Sequence, residues 1–505
     1  MKIPFLNNVI AWSLKKRKHQ IDFFLKYPIE VQQEILEGLI QQAKNTEIGK
    51  RYHFNQIKTY SDFIKNVPIR KYESIEHEID QARKGIPNIF WHSKIKWFAK
   101  SSGTTNAKSK FIPVSKVALE DCHYKAVKDM LSIYVCNNQH TKMFGGKNLR
   151  LGGSSEMYEK NGTIYGDLSA IIIQNLPLWA DFSSAPSQKV ALLSDWEIKM
   201  DKIIDETINE DITSLAGVPS WMLVLLNKIL ERTGKNNILE VWPNLEVYFH
   251  GGVNFNAYRK QYEKIIPKKN FQYYEIYNAS EGFFAIQDQN NSQELLLMLD
   301  YGIFYEFIPM DAFNDENSAA IPLEKVQLET NYALVITTNA GLWRYLIGDT
   351  IKFTSIKPYR IKITGRTKHF INAFGEELII ENTEKALEIA CKKTNTSIKE
   401  YSVAPVFMEN GKKGKHQWLI EFIQKPKNTD FFMEVLDTAL KNINSDYEAK
   451  RYLNITLEKP NLSIAKPNLF YNWLKNKKKL GGQHKIPRLS NDRKFIEELL
   501  QLNNR

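Results

Sequence analysis

The chain has 505 residues, of which 43% are hydrophobic, 12% aromatic and 25% charged, a composition that is typical of a globular protein and excludes an intrinsically disordered one. It carries 69 lysine and arginine residues against 57 acidic ones, a net charge of +12. Because the basic residues are spread along the chain, they indicate a solvated surface or an anionic substrate rather than a nucleic-acid partner. The three scattered cysteines exclude a disulfide framework and a cysteine-ligated zinc site.

The N-terminal segment starts like a signal peptide but lacks the features of a complete one. Asn7 and Asn8 interrupt its apolar run, and no small-residue cleavage site follows the basic residues 15–18. No apolar stretch reaches the roughly 18 residues of a membrane-spanning helix. We therefore expect a cytoplasmic protein without a membrane partner, acting as a monomer or a weak homo-oligomer.

Helical and strand patterns alternate along the first two thirds of the chain. Apolar residues share one helical stripe over 29–43, and a further helix is predicted over Lys116–Tyr134. The other elements predicted before residue 350 are the strands Ser169–Ile173, Val247–Phe249 and Leu295–Leu299 and the helices Ile198–Glu210 and Pro219–Arg232. This alternation predicts an α/β body of mixed sheets and helices.

The pattern changes near residues 350–368, where a polar, proline-containing connection is predicted over 352–360. Beyond it, the sequence predicts a compact unit with a helix near Asn382–Thr394, strands near 401–408 and 416–423, and an amphipathic helix over Asp430–Asn444. We therefore predict a larger domain over residues 1–358 and a smaller C-terminal α/β domain over residues 359–505.

A loop rich in hydroxyl groups follows the apolar run 95–99. It reads Ser-Ser-Gly-Thr-Thr-Asn-Ala-Lys-Ser-Lys over residues 101–110, so backbone N–H groups around Gly103, hydroxyls and two lysines could converge on a phosphate. It lacks the second glycine of a P-loop. With the helix predicted after it, the order strand–loop–helix matches an anion site. An ordinary polar connection is the alternative.

Two further segments could bind a nucleotide. Tyr277, Ser280 and Glu281 end a predicted strand and would supply a ring for a base, a hydroxyl donor and a carboxylate for Mg²⁺; a plain strand end with a turn is the alternative. A predicted hairpin over residues 337–349 ends in Asp349, whose carboxylate could accept hydrogen bonds from ribose hydroxyls. Alternatively, Asp349 closes a turn and Arg344 is its structural partner.

A C-terminal loop opens with Gly481 and Gly482 and bears Lys485 and Arg488. A lysine on such a loop could bring charge to a developing oxyanion, although a basic surface turn would look the same. The chain contains no dinucleotide-binding G-x-G-x-x-G, no H-E-x-x-H, no G-x-S-x-G and no H-R-D motif. Hydride transfer, zinc hydrolysis, serine hydrolysis and protein kinase chemistry therefore lose support.

In this order, the segments resemble the motifs of the adenylate-forming superfamily, and specifically of its Gretchen Hagen branch, the auxin-responsive-promoter family of acyl acid–amido synthetases. Residues 101–110 look like its phosphate loop, and 277–281 are similar to its Tyr-x-x-Ser-Glu motif. Residues 341–349 resemble its Gly-Leu-Tyr-Arg-Tyr-Arg-x-Gly-Asp motif, 365–375 its hinge region and 483–488 the loop of its late lysine. Each motif is weak alone, but their shared order is a strong signal.

The resemblance implies a large N-terminal adenylate-forming domain and a smaller, mobile C-terminal lid domain that rotates near residues 355–370. It implies that a carboxylate attacks the α-phosphate of ATP, giving an acyl-adenylate and pyrophosphate, and that an amino acid then displaces AMP to form an amide. The implied cofactors are ATP and Mg²⁺. The implied partners are a small carboxylic acid and an amino acid.

The resemblance also implies roles for individual residues. Lys110 and Lys485 would be catalytic, and Glu281 would hold the metal. ATP or AMP would be bound by Ser101, Ser102, Gly103, Thr104, Thr105, Lys108, Gly251, Gly252, Tyr277, Ser280, Asp349 and Arg366. Tyr277 would face the adenine and Asp349 the ribose, while either Lys108 or Lys110 would face the phosphates. The aromatic residues Trp179, Phe182 and Trp221 could line the acyl pocket.

Two other functions stay open. The chain departs from the family at Trp343, Leu346 and Lys368, where tyrosine, arginine and an acidic residue are common. An acyl-CoA or acyl-carrier ligase, which shares the adenylation step, is therefore the first alternative. The second is a non-catalytic basic binding protein, which would show strongly salt-dependent binding and no ATP turnover.

Overall fold

The computed structural model describes residues 6–101, 110–152, 157–176, 181, 183–253, 255, 258–313, 319–367, 370–408, 412–454, 456–476 and 486–504. These residues form two compact units. The larger unit lies within Met1–Ser101, Lys110–Gly252 and Glu263–Thr367, and the smaller one within Val253–Tyr262 and Lys368–Arg505.

The helices before residue 300 precede or connect the strands of the larger unit. They are α1 (Leu6–Lys15), α2 (Lys18–Lys26), α3 (Pro28–Ala43), α4 (Glu47–Arg51), α5 (Tyr60–Asn66), α6 (Tyr72–Arg83), α7 (Lys116–Ala118), α8 (Lys125–Asn137), α9 (Leu168–Gln174), α10 (Gln188–Ala191), α11 (Trp196–Thr207), α12 (Pro219–Thr233) and α13 (Arg259–Ile265). A π-helical segment, Leu119–Tyr124, joins α7 to α8.

The strands of the larger unit run from residue 97 to residue 366. They are β1 (Trp97–Ser101), β2 (Lys110–Val114), β3 (Lys147–Leu151), β4 (Tyr158–Lys160), β5 (Thr163–Gly166), β6 (Ser184–Ala185), β7 (Ile212–Gly217), β8 (Val247–Gly251), β9 (Gln272–Ala279), β10 (Gly282–Ile286), β11 (Leu295–Leu297), β12 (Ile303–Pro309), β13 (Ile321–Pro322), β14 (Asn331–Thr338), β15 (Tyr345–Ile356) and β16 (Tyr359–Arg366).

Most of these strands belong to one large mixed sheet. Within the described residues it has twelve strands in the order β13-β12-β14-β15-β16-β11-β10-β9-β8-β7-β3-β6. From β9 to β6 the neighbours are parallel, which requires the crossover helices seen between them. The other pairs are antiparallel. In the same part of the chain, β2-β1-β5-β4 form a second sheet.

Helix α3 shows how the N-terminal helices attach to the larger unit. Pro28 occupies its first turn, where the missing N–H costs no helical hydrogen bond. Val31, Leu36 and Leu39 follow at helical spacing and are buried in the core. The amide of Gln32 donates to the carbonyls of Leu299 and Ile303 at 2.8 and 2.9 Å. The predicted helix over 29–43 therefore exists because one face is apolar and its buried amide is satisfied.

The smaller unit has its own sheets and core. Its strands are β17 (Phe370–Ile371), β18 (Leu378–Ile379), β19 (Ser397–Val406), β20 (Lys415–Gln424) and β21 (Asn461–Ile464), and its helices are α14 (Ile380–Thr394), α15 (Thr429–Ile443), α16 (Ser445–Arg451), α17 (Leu469–Asn476) and α18 (Lys494–Asn504). β20 lies between β19, which is antiparallel to it, and β21, which is parallel to it. Asp437 and Arg451 form a buried ion pair of 2.7 Å in this unit.

The predicted fold class is confirmed, with three local differences. Residues 168–174 form helix α9 and not a strand, because a short apolar run has no periodicity that separates the two. The predicted connection over 352–360 is mostly strand, because β15 runs to Ile356 and β16 begins at Tyr359, so only the turn of this hairpin lies between them. Strand β2 lies between the 101–110 loop and the next helix, so the predicted strand–loop–helix order is wrong.

The predicted domain division falls between β15 and β16. Residues 359–366, which the sequence assigned to the second domain, form β16 and pair with β15 and β11 of the larger unit. None of the helices in the described parts of the chain has the length and apolar character needed to cross a bilayer.

Candidate active site

A chain of hydrogen bonds joins three strands of the larger unit, β9, β15 and β16. The hydroxyl of Tyr277, on β9, donates to Asp349 Oδ2 at 2.7 Å. Nε of Arg366 donates to Asp349 Oδ1 at 2.9 Å, because the β15–β16 register places these two residues opposite each other. Tyr277 and Asp349 are buried, at 5% and 8% exposure. The carboxylate of Asp349 is thus fixed from both sides.

The protonation of Tyr277 follows from its surroundings. Burial, and next the negative charge of Asp349, raise the pKa of Tyr277 well above its ordinary value of 10. Its ring packs against Phe284 with the ring centroids 4.8 Å apart. The tyrosine therefore stays protonated at neutral pH, and its hydroxyl donates a hydrogen bond to Asp349.

Glu281 lies in the turn between β9 and β10, immediately after the strand that carries Tyr277. Burial raises the pKa of Glu281 to about 7; the positive charge of Lys110 opposes this rise, and the negative charge of Asp349 adds to it. A carboxylate that titrates near neutral pH, between a positive and a negative group, is suited to binding a cation or to exchanging a proton. Within the described residues, no group of three or more His, Cys, Asp or Glu side chains could hold a metal ion.

Ser101 and Lys110 lie at the two ends of the phosphate-like loop. They are opposite each other in the β1–β2 pair, and the amine of Lys110 lies 5.5 Å from the ring centre of Tyr72. The hydroxyl of Tyr72 accepts a hydrogen bond of 2.8 Å from the backbone N–H of Phe111. Six of the predicted site residues, Ser102, Gly103, Thr104, Thr105, Lys108 and Lys485, lie outside the described residues, as do Trp179 and Phe182.

Gly251 and Gly252 end strand β8 beside β9. A Cβ atom on Gly251 would lie 2.5 Å from the carbonyl oxygen of Ile276, so a larger residue would push the two strands apart. Gly252 has a φ of +86°, which glycine adopts at little cost. Ser280 follows β9 in the same turn as Glu281. The structure therefore places these residues at the carboxyl ends of neighbouring strands.

Tyr345 is a member of this cluster to which the sequence motif assigned no role. It is 1% exposed, and within the described part of the chain its hydroxyl is buried without a hydrogen-bond partner. Burial, and next the charge of Glu281, raise the pKa of Tyr345 well above 10. A buried hydroxyl that lacks a partner is costly unless a ligand or water satisfies it.

Arg344 is not the partner of Asp349, so that alternative is wrong. Its guanidinium pairs instead with the buried Glu306, with Nη2 2.8 Å from Oε1 and Nε 2.9 Å from Oε2. Nη1 also donates to the carbonyl of Val67 at 2.7 Å. Arg344 lies immediately before β15 and has a φ of +44°.

Family models match most of the chain in three consecutive parts. The GH3 family N-terminal domain matches residues 17–271, the central domain residues 296–366 and the C-terminal domain residues 381–494. The chain belongs to the GH3 family. This is the Gretchen Hagen family that the sequence motifs resemble. Among the candidate site residues of the larger unit, Tyr277, Ser280 and Glu281 lie between the matched parts of this GH3 protein.

Curated relatives match over 64–76% of the chain. Indole-3-acetic acid-amido synthetase GH3.4 of Arabidopsis thaliana is 22% identical over 453 residues, covering 76% of this chain and 75% of the relative. Jasmonoyl–L-amino acid synthetase JAR4 of Nicotiana attenuata is 22% identical and covers 72% of each chain. These relatives act on small-molecule acids and amino acids.

Solved structures share the fold over nearly the whole length. The AtGH3.15 acyl acid amido synthetase in complex with 2,4-DB has a TM-score of 0.61 at 17% identity, covering 94% of this chain and 93% of that one. A 2-hydroxyisobutyryl-CoA ligase has a TM-score of 0.56 at 14% identity, covering 94% and 92%. Adenylate-forming ligases use ATP. The predicted family and the predicted enzyme class, an acyl acid–amido synthetase, are confirmed.

Proposed function

We propose that this GH3 protein uses ATP to activate a small carboxylic acid and then joins the acyl group to an amino acid. In the first step, a carboxylate oxygen attacks the α-phosphorus and the bond to pyrophosphate breaks. In the second, the amine nitrogen attacks the acyl carbon, the bond to AMP breaks and the amine loses a proton. The reaction needs only small-molecule partners.

The arrangement of Tyr277, Asp349 and Arg366 is the observation that carries this proposal. Each oxygen of Asp349 already accepts one hydrogen bond, and each has a further lone pair for a ligand hydroxyl. A carboxylate held this firmly can accept from both hydroxyls of a ribose without reorienting. We assign Asp349 to the ribose, with Tyr277 and Arg366 as the residues that position it.

Glu281 fits a magnesium ion in the manner of nucleotide-dependent enzymes. Mg²⁺ is commonly held by one or two carboxylates together with substrate phosphates, so no dedicated cluster of protein ligands is needed. When bound, Mg²⁺ supplies positive charge to the phosphates. Lys110, whose charge already acts on Glu281, would add a second positive charge to the same anion.

The remaining assignments rest on the family motif alone. Ser101 and the loop residues Ser102, Gly103, Thr104, Thr105 and Lys108 would orient the phosphates, Gly251 and Gly252 would let the backbone approach the base, and Ser280 would donate a hydroxyl. Lys485 would bring charge to the α-phosphate. Removing one well-placed donor of this kind typically lowers the rate by about 10²–10³.

Pyrophosphate release tests the proposed function. The full-length protein is incubated with ATP, Mg²⁺ and a panel of small carboxylic acids, each tested alone, with pooled amino acids and with CoA. Acid-dependent release with an amide product by mass supports the proposal. Acid-dependent release that yields a product only with CoA contradicts the amide step and indicates an acyl-CoA ligase. If no acid supports release and calorimetry detects no ATP binding, the adenylation step is wrong as well.

A further inference from the structure

Arg150 is a buried cation whose donors are only partly used. It is the fourth residue of β3 and is 9% exposed. Nη2 donates to Asp181 Oδ1 at 2.7 Å. Within the described part of the chain, its Nε and Nη1 atoms are buried and have no hydrogen-bond partner. Burying charged donors without partners is costly, so such a group calls for an explanation such as a ligand.

The sheet topology places Arg150 where open α/β sheets bind ligands. The parallel strands have the order β6-β3-β7-β8-β9. After β3, the next strand of this sheet along the chain is β6, on the side of β3 away from β7. After β7, the next strand is β8, on the side of β7 away from β3. Such a reversal opens a crevice between the carboxyl ends of the two strands, and ligands bind there. Arg150 pairs with Ala216 of β7, one residue before each strand ends. Its guanidinium therefore belongs to a crevice that the fold itself creates.

Within the described residues, Asp181 is the carboxylate that pairs with Arg150. Asp181, its partner, has 38% of its side chain exposed, so water shares its charge. A second buried cation, Lys199 of α11, donates to the carbonyl of Gly152 at 3.3 Å, just beyond the end of β3. Burial lowers the pKa of Lys199 to about 8, and the charge of Asp167 opposes this shift. Two buried cations therefore belong to the carboxyl-terminal end of β3, Arg150 on the strand itself and Lys199 at the carbonyl that follows it.

The distance from the adenylation cluster limits what this anion can be. Arg150, Ala216, Phe249 and Tyr274 lie side by side across β3, β7, β8 and β9. Three strand spacings put Arg150 roughly 14 Å from the backbone of β9. Two strands, β7 and β8, thus lie between Arg150 and the strand that leads to Glu281, which suits a group at the opposite end of the substrate from the carboxylate activated beside Glu281.

We propose that Arg150 binds a second carboxylate, at the far end of the acyl acid, so that the chain prefers dicarboxylic substrates. This inference rests on the proposed function and deepens it by naming the substrate class. The Nε–H and Nη1–H donors, which have no partner among the described residues, match carboxylate oxygens, which bind guanidinium groups through charge-assisted hydrogen bonds. The Arg150 guanidinium would contribute to substrate binding and not to the chemical step, so its loss should change KM more than kcat.

Pairs of acids that differ only in the terminal carboxylate test the proposal. For straight-chain monocarboxylates and α,ω-dicarboxylates of equal length, kcat/KM is measured by pyrophosphate release with the wild type, Arg150→Gln and Arg150→Lys. We expect the wild type to prefer the dicarboxylate, Arg150→Gln to lower that preference by about 10–100-fold, and Arg150→Lys to fall between them. Arg360→Gln, which removes a comparable arginine–aspartate pair from the same sheet, should keep the preference.

Other outcomes would overturn the proposal. It fails if the wild type shows no preference, or if Arg150→Gln lowers kcat/KM for both acids equally in a protein that circular dichroism shows to be folded. Calorimetry of acid binding tests the role of Arg150 even if the proposed synthetase activity is wrong. If no acid supports pyrophosphate release, tighter binding of the dicarboxylate to the wild type than to Arg150→Gln still supports the inference, and equal binding overturns it.

Discussion

Tyr277 donates a 2.7 Å hydrogen bond to Asp349 although their strands are not neighbours in the sheet. Between β9 and β15 lie β10, β11 and β16. Four spacings across a flat sheet would separate the two strands by roughly 19 Å, so the sheet must curl strongly for the side chains to meet. This curvature brings the Tyr-x-x-Ser-Glu and Gly-Asp motifs, 72 residues apart in the chain, into one cluster.

Replacing Tyr277 by phenylalanine tests whether this hydrogen bond positions Asp349. Hydrogen bonds to charged groups contribute about 1.5–3 kcal/mol, and we expect ATP affinity by calorimetry to fall roughly tenfold, equivalent to about 1.4 kcal/mol. Tyr274→Phe is the control, because Tyr274 is on the same strand and its hydroxyl bonds to Asn137 and Asn290. Equal loss of ATP affinity in both variants would contradict a specific role for Tyr277.

Arg366 and Arg360 lie on the same strand and each pairs with an aspartate, so a substitution of Arg360 is a control for one of Arg366. Arg366 pairs with Asp349 at 2.9 Å and Arg360 with Asp288 at 2.7 Å, and all four side chains are largely buried. We expect Arg366→Gln to raise the KM for ATP by at least tenfold and Arg360→Gln to leave it unchanged, while both lower the midpoint of urea unfolding. If both variants raised the KM alike, the Arg366–Asp349 pair would be structural only.

The raised pKa of Glu281 predicts a pH dependence of stability. Its ordinary value is 4.5 and its value in the folded chain is about 7, so the folded state holds the proton more tightly than the unfolded state. The stability that this group contributes is therefore full below about pH 4.5 and is lost as the pH rises through about 7. We expect Glu281→Gln to raise Tm relative to the wild type at pH 8 but not at pH 4.5. The exposed Glu159→Gln serves as control, and a difference independent of pH would refute the prediction.

Ionisation of Glu281 should also govern metal use. Because only the carboxylate form binds Mg²⁺, the apparent Mg²⁺ affinity in the presence of ATP should increase between pH 6 and pH 8 in the wild type. Glu281→Gln should show weak binding without this increase. Titration calorimetry at several pH values measures both. A wild-type affinity that does not change over this range would remove Glu281 from the metal site.

Loss of the buried ion pair between Arg344 and Glu306 should lower the free energy of unfolding and not the affinity for substrates. Their side chains are 6% and 1% exposed and 2.8 Å apart, and the hydroxyl of Tyr60 also donates to Glu306 at 2.9 Å. Arg344→Met leaves a buried carboxylate uncompensated, which costs about 3–5 kcal/mol. The double variant Arg344→Met/Glu306→Met should recover most of this loss.

Urea unfolding measures the effect of Arg344. Arg232→Met is the control, since it breaks a pair with Asp205 in which both side chains are 47% exposed, and exposed pairs contribute only about 0–1 kcal/mol. A loss from Arg344→Met no larger than that of the control would show that the buried pair contributes little.

Local sequence determined the features that depend on neighbouring residues. The predicted helix over 29–43 is confirmed because its apolar positions repeat with the helical period, and the α15 helix is confirmed for the same reason. The motif order identified the family and enzyme class, and the hairpin predicted at 337–349 is confirmed by the β14–β15 pair. In contrast, the apolar run 169–173 by itself fits either a helix or a strand, and only its packing in the larger unit makes it the helix α9.

Only the tertiary structure decided which residues meet. The sequence offered Arg344 as the partner of Asp349, five residues away, but the β15–β16 register provides Arg366 and the fold uses Arg344 for Glu306. It also left Tyr345 and Arg150 without a role, because a buried donor that lacks a partner is visible only once its surroundings are formed. Side-chain chemistry is encoded locally, whereas distances between strands depend on the curvature and order of the whole sheet.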